Sequence, residues 1–193
     1  MVKAQTQIIG NIFMVLLSVV FLTVISILSY SLYTTQLKSE IENNLRQIGT
    51  EISKSIIKLY EIGKNSKYSP NENGSAKLAE IELKLPSRIS GKNYEIFLVA
   101  NPILIQISNI SVNESSPPYT LTLYGTKVVL RTTQSPEVFV EVDVPNIGAY
   151  VQGKSENGLN SSLAYYRYNL NGTIKDIILL GPQDIIIDIG KVS

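Results

Sequence analysis

At 193 residues the chain has room for one modest domain and an anchor, not for two full globular domains. A net charge of +1 supplies no field that would draw nucleic acid or an acidic substrate. The chain has neither cysteine nor histidine, which excludes disulfides, thiolate metal sites, the usual zinc sites and the commonest general base at neutral pH.

The apolar residues are concentrated near the N-terminus. No charged side chain occurs between Lys3 and Lys38, and Ile8 to Leu32 is dominated by Ile, Leu, Val, Phe and Met. A helix needs about 20 such residues to cross the hydrocarbon core of a bilayer, so residues 5–34 are predicted to form a transmembrane helix. A cleaved secretory signal has an apolar stretch of only about 7–15 residues followed by a small-x-small site, and this run is too long for that reading. Charge gives almost no orientation, because only Lys3 precedes the span while Lys38, Glu40, Glu42 and Arg46 follow it.

Lys3-Ala4-Gln5-Thr6 stands directly before the apolar run, and Gln5-Thr6-Gln7-Ile8-Ile9-Gly10-Asn11 leads into Ile12, Phe13 and Met14. This N-terminus resembles that of archaeal type IV pilin-like proteins, with their class III signal of a charged residue, a small residue, the cut and then the apolar helix. The resemblance covers about the first 35 residues. It implies cleavage by a prepilin peptidase between Ala4 and Gln5, with residues 1–4 as leader and the apolar helix retained as a filament core. Bacterial pilins usually carry Glu as the fifth mature residue, and Ile9 stands there, so the likeness is to the archaeal branch.

Past the span, Leu37, Ile41, Leu45, Ile48, Ile52, Ile56, Leu59 and Ile62 recur at spacings of three and four among Lys, Glu, Gln and Asn. That periodicity predicts an amphipathic extension over residues 35–64, stopped by Gly63 and by a linker over 65–75 that contains Pro70. Gly49 is a weak point within it. One helix from Gln5 to Ile62 would reach about 85 Å. Its apolar stripe needs a partner: the β domain, a second copy, or a filament core. Asn11, Ser18 and Thr23, with Leu37, Ile41, Leu45, Ile48 and Ile52, are the residues expected to pack helices.

From Ala76 the period changes to two, and residues 76–193 read as a β domain. Ala79, Ile81, Leu83 and Leu85 alternate with Glu80, Glu82 and Lys84. Tyr94 to Ala100 and Ile103 to Ile107 read as separate strands broken at Asn101-Pro102, and Tyr124-Gly125-Thr126 reads as a hairpin between two more. Val138, Val140, Val142 and Val144 form the clearest half-buried strand. Leu163–Tyr168 and Thr173–Leu180 flank Asn169-Leu170-Asn171-Gly172, a strong turn signal, and Asp184–Ile189 closes the series. The stretch Leu85 to Ile96 also resembles the first hairpin of archaeal pilin-like β domains. The expected fold is α+β, one long N-terminal helix followed by an all-β antiparallel, sandwich-like domain.

Gly148-Ala149-Tyr150-Val151-Gln152-Gly153-Lys154-Ser155 matches the phosphate-binding P-loop letter for letter. A working P-loop opens a helix, and Glu156, Asn157 and Gly158 follow instead, so the stretch reads as a Gly-punctuated loop and no nucleotide is expected. Asn73, Asn109, Asn113, Asn160 and Asn171 each head an N-x-Ser/Thr sequon beyond the span and are N-glycosylation candidates, which puts the β domain outside the cell and the N-terminus inside. Glu137, Glu141 and Asp143, or Asp176, Asp184 and Asp188, supply oxygens but lack the spacing of a calcium loop.

No triad, metal cluster or paired-acid motif emerges, so no catalytic residue, metal or cofactor is expected. The first functional expectation is a structural subunit or minor component of a type IV pilin-like surface filament. Its partners would be other copies of itself or other pilin-like subunits, the prepilin peptidase and the membrane, without nucleic acid. The alternative is a permanently anchored ectodomain that binds another envelope protein, such as a surface layer or an archaellum stator.

Overall fold

The structure is a computed structural model that describes residues 2–72, 74–107, 119–158, 161–170 and 172–182. It contains one helix, α1 (Val2–Asn65), and the strands β1 (Ser75–Glu82), β2 (Tyr94–Ile107), β3 (Tyr119–Thr132), β4 (Phe139–Ile147), β5 (Tyr150–Glu156), β6 (Ser161–Leu170) and β7 (Thr173–Pro182). The chain divides into two compact units, Met1–Glu40 and Ile41–Ser193. The amphipathic extension of the helix, expected to begin at residue 35, thus belongs from Ile41 onward to the same unit as the strands.

Within that unit the helical stripe is the core. Ile41, Leu45, Ile52, Ile56 and Leu59 are fully buried and Ile48 nearly so, while Leu37, in the other unit, is only half-buried. Each fully covered Ile or Leu contributes about 1.5–3 kcal/mol, and the sum holds this helix segment to the sheet. The stripe does not include Ile62, which is 47% exposed. The inward position one turn after Leu59 is Gly63, against which the Tyr165 ring lies, so a side chain there would collide with the ring. The helix also runs past Gly63 to Asn65 instead of stopping there.

Gly49, expected as a weak point, is a close-approach site. A Cβ added to it would stand 2.7 Å from Val142 Cγ2 and 2.9 Å from Leu130 Cδ1. Gly49→Val is therefore expected to destabilise the domain by about 1–3 kcal/mol through overpacking, measured as a lowered thermal midpoint. A gain in stability, as helix propensity alone would give, contradicts this packing.

The strands form a seven-stranded sheet in the order β1-β6-β7-β5-β2-β3-β4. With the long helix it makes the expected α+β architecture. Every pairing is antiparallel except β5–β7, which is parallel. The Val138–Val144 alternation is as read: Val138, Val140 and Val144 are buried and Phe139, Glu141 and Asp143 exposed. Leu170 pairs Thr173 across a two-residue turn with Gly172 at φ 81°, a conformation glycine adopts at no steric cost. Between β1 and β2, Ile89 and Lys92 exchange backbone hydrogen bonds of 2.9 and 2.8 Å around Ser90 and Gly91, both at positive φ.

Other local readings are corrected. Asn101-Pro102 does not break the chain, because β2 runs through it to Ile107. Beyond Leu98, β2 has no β5 partner, and a one-sided strand tolerates a residue without an N–H. Tyr124-Gly125-Thr126 is not a hairpin either. It lies inside β3, opposite a register shift in the β3–β4 ladder, where the extra residue falls in β4 between Val144 and Ile147. The expected strand Asp184–Ile189 lies outside the described residues.

The 65–75 linker is tied down. Asn169 donates from its amide nitrogen to the Pro70 carbonyl at 3.1 Å and from its backbone N–H to the Gly74 carbonyl at 3.0 Å.

Candidate functional site

The most distinctive chemical feature is the bare helix. From Ile12 to Tyr33 the large apolar residues of α1 are all exposed, and this segment is long and apolar enough to cross a membrane, with a window of mean hydropathy 2.8. Lys3, Ala4 and Gln5 lie in the helical backbone near its start. Asn11, Ser18 and Thr23 are exposed. Ser18 Oγ donates to the Met14 carbonyl, Thr23 Oγ1 to that of Val19 and Ser26 Oγ to that of Leu22, each at 2.8 Å. These hydroxyls are satisfied inside their own helix, which removes most of the cost of placing them in hydrocarbon. Of the polar residues expected to pack helices, Asn11 has the strongest need for an outside partner, because an exposed amide carries two donors and an acceptor.

A second polar cluster sits on the sheet face turned away from the helix. Glu95 accepts from Arg131, at 2.7 Å from Nη2, and pairs with Lys154 Nζ at 3.1 Å. The Phe97 ring lies beneath both cations, 5.1 Å from the Arg131 guanidinium carbon and 5.3 Å from Lys154 Nζ. Arg131 first, and Lys154 second, hold the Glu95 carboxyl below the usual carboxylate range. Lys154 is in turn held charged by Glu156 and Glu95. Beside this cluster a cavity of about 560 Å³ is lined by Glu95, Arg131, Thr132, Thr133, Glu137, Val138 and Phe139. Thr132 Oγ1 is already committed to the Val138 N–H and the Pro136 carbonyl. Glu95 and Thr132 are thus both engaged by partners within the sheet.

The P-loop match is a strand. Residues Tyr150–Glu156 form β5, which no sequence signal had marked, and Lys154 Nζ is engaged by carboxylates. Gly153 sits at φ 144° directly against the Leu180 carbonyl, a place no Cβ could occupy. There β5 passes from its β7 pairing to its β2 pairing. Ser155 is buried and shares a hydrogen bond with Ser161. Nothing in this geometry cradles a phosphate.

No protein-family model matches the chain, and no curated protein or solved structure matches it.

Among the described residues, no group of three acidic side chains is placed to hold a metal ion. Of the acids considered for calcium, Glu141 is paired with Lys127 at 2.6 Å and Asp176 with Arg167 at 2.8 Å. Asp184 and Asp188 lie outside the described residues, as do all the sequon asparagines, Asn73, Asn109, Asn113, Asn160 and Asn171.

The residue that sequence reasoning missed is Arg167. Almost buried on β6, it forks onto Asp176 with Nε at 2.8 Å and Nη2 at 3.3 Å. It also donates to the carbonyls of Gly63 at 3.2 Å, Ser66 at 2.8 Å and Tyr68 at 3.0 Å. A cation thus caps the C-terminus of α1, where the last carbonyls lack partners and the helix dipole is negative. An Arg between two tyrosines in a strand carries no sequence mark of that role.

Proposed function

We propose that this protein is a structural subunit or minor component of a type IV pilin-like surface filament, inserted in a membrane with its N-terminus inside and assembled through its N-terminal helix. The observation that carries the reading is the apolar, wholly exposed segment from Ile12 to Tyr33, continuous in α1 with a stripe that packs on the sheet of the second unit. A segment of this kind is stable only in lipid or among other apolar helices. The prepilin-like Lys3-Ala4-Gln5 before it supports processing and assembly, and Asn11 supports a helix partner able to complete its hydrogen bonds. The ion-paired sheet face and its cavity support interaction over catalysis.

The alternative, a permanently anchored ectodomain bound to another envelope protein, is favoured by the back-bonding of Ser18, Thr23 and Ser26, which lets the span rest in lipid without neighbours. N-terminal sequencing and intact mass of the mature chain test the first reading. The expected chain begins at Gln5 and appears in the filament fraction sheared from cells. A chain that keeps Met1 to Ala4 beside an active prepilin peptidase, and that stays with the membrane, overturns it in favour of the anchor.

A further inference from the structure

We propose that the cavity beside Glu95 binds a cation carried on an apolar stem, a primary ammonium or guanidinium seated between the Glu137 carboxylate and the Phe139 ring. A lysine or arginine side chain of another protein presents that chemistry, and so does a free diamine. The site is independent of how α1 is anchored or whether the chain polymerises.

The neighbouring cluster shows the same construction with its cations in place. Arg131 Nη2 is 2.7 Å from Glu95, and Lys154 Nζ is 3.1 Å from Glu95 and 2.6 Å from Glu156, so two cations are balanced by two carboxylates. Both cations lie over the Phe97 ring. Beside this set stand another carboxylate and another ring that lack a cation. Arg131 pairs with Phe139 across the β3–β4 ladder, but its guanidinium leans over Phe97 and leaves Phe139 60% exposed. Glu137 and Phe139 flank the buried Val138, so they alternate onto the same face, no more than about 7 Å apart along the backbone. Among the described residues no cation pairs with Glu137 and none lies over Phe139. A cation acts on an aromatic ring from within about 6 Å of its centroid, so one ammonium can serve both groups.

The walls are fixed before anything binds. Thr132 donates its N–H to the Val138 carbonyl at 3.0 Å, and its Oγ1 accepts the Val138 N–H at 2.8 Å and donates to the Pro136 carbonyl at 3.0 Å. Thr133 donates its N–H to the Asn93 carbonyl at 3.0 Å. A preformed site loses little affinity to ordering its own side chains. The volume of about 560 Å³ exceeds what a charged head alone needs, and Val138 and Phe139 offer apolar contact to a methylene stem. Charge sets the sign of the ligand. Glu95, Glu137 and Arg131 line the cavity, an excess of one negative charge, and Arg131 is already paired with Glu95. An anion would meet two carboxylates and no free cation.

The chain has only four phenylalanines, Phe13, Phe21, Phe97 and Phe139, so fluorine NMR of the full-length protein carrying fluorophenylalanine, in an uncharged detergent, reads the site directly. Loss of one resonance in Phe139→Leu assigns the reporter. The probes are N-acetyl-lysine methylamide, N-acetyl-arginine methylamide and 1,5-diaminopentane, with N-acetyl-norleucine methylamide as the uncharged counterpart. The charged probes are expected to move the Phe139 resonance saturably, with dissociation constants of about 1–10 mM. Norleucine is expected to bind at least about fivefold more weakly. Glu137→Gln is expected to weaken the charged probes about fivefold with the thermal midpoint unchanged. Glu61→Gln, an exposed acid on α1, is expected to leave the curve as it was. Tighter binding of the blocked amino acids than of the diamine identifies a protein side chain as the source of the cation, and the reverse order a free diamine; either supports the site. Equal binding of norleucine, equal affinity in Glu137→Gln and wild type, or a shift at Phe97 with none at Phe139 overturns it.

Discussion

Arg167→Ala is expected to lower the unfolding free energy of the full chain by about 3 kcal/mol, the lower end of what breaking a buried ion pair costs. The loss has two physical parts. Asp176 loses its hydrogen-bonded counter-ion in a largely covered site, and the carbonyls of Gly63, Ser66 and Tyr68 lose the donor that closes the end of α1. Arg167→Lys should recover only part of the loss, because an ammonium cannot span the carboxylate and the carbonyls with a planar fork. The double variant Arg167→Met/Asp176→Leu should be less damaging than Arg167→Ala, since it leaves no unpaired buried charge. Thermal or denaturant unfolding in detergent checks all of these. An Arg167→Ala protein within about 0.5 kcal/mol of wild type, the range of an ordinary surface change, would show that the cap does not hold the helix end to the sheet.

Phe21→Arg/Leu22→Arg should expel the chain from the membrane. Each replacement exchanges a residue that favours the bilayer centre by a few tenths of a kcal/mol for one that disfavours it by about 2.5–3.5 kcal/mol, so the pair costs about 6 kcal/mol. Alkaline extraction of membranes reads the result: wild type in the pellet, the variant in the supernatant or lost to proteolysis. The same two added charges at Asn43 and Gln47, exposed polar positions of α1 in the other unit, should leave the chain in the membrane pellet. A double-arginine chain that remains in the membrane pellet, or enters filaments as wild type does, would refute the reading of Ile12–Tyr33 as the segment that meets lipid or neighbouring helices.

Features set by local periodicity could be read from the sequence. The Val138–Val144 alternation, the Ile41–Leu59 stripe and the turn at Gly172 each follow from neighbours a few residues apart, and the structure shows them as read. Features set by contacts between distant residues could not. Pro102 and Gly125 look like breaks, yet both sit inside long strands, because at those positions the ladder is one-sided or bulged. The segment holding Gly153 and Lys154 looks like a loop, yet it is a strand because β7 and β2 lie on either side of it. Gly49 and Gly63 look like helix weaknesses until Val142, Leu130 and Tyr165 are placed against them.

By itself, then, the amino-acid order determined that a long apolar helix leads into an amphipathic one and a β-rich domain, and that histidine and cysteine chemistry is absent. Those properties depend on composition and on spacings of two to four residues, which the chain carries wherever it folds. Only the tertiary structure decided which turn of the helix meets the sheet, and that Arg167 closes the helix end some hundred positions away in sequence. Each of those depends on which distant backbone comes within hydrogen-bonding or van der Waals reach. That is a property of strand order and register, and no short-range pattern encodes it.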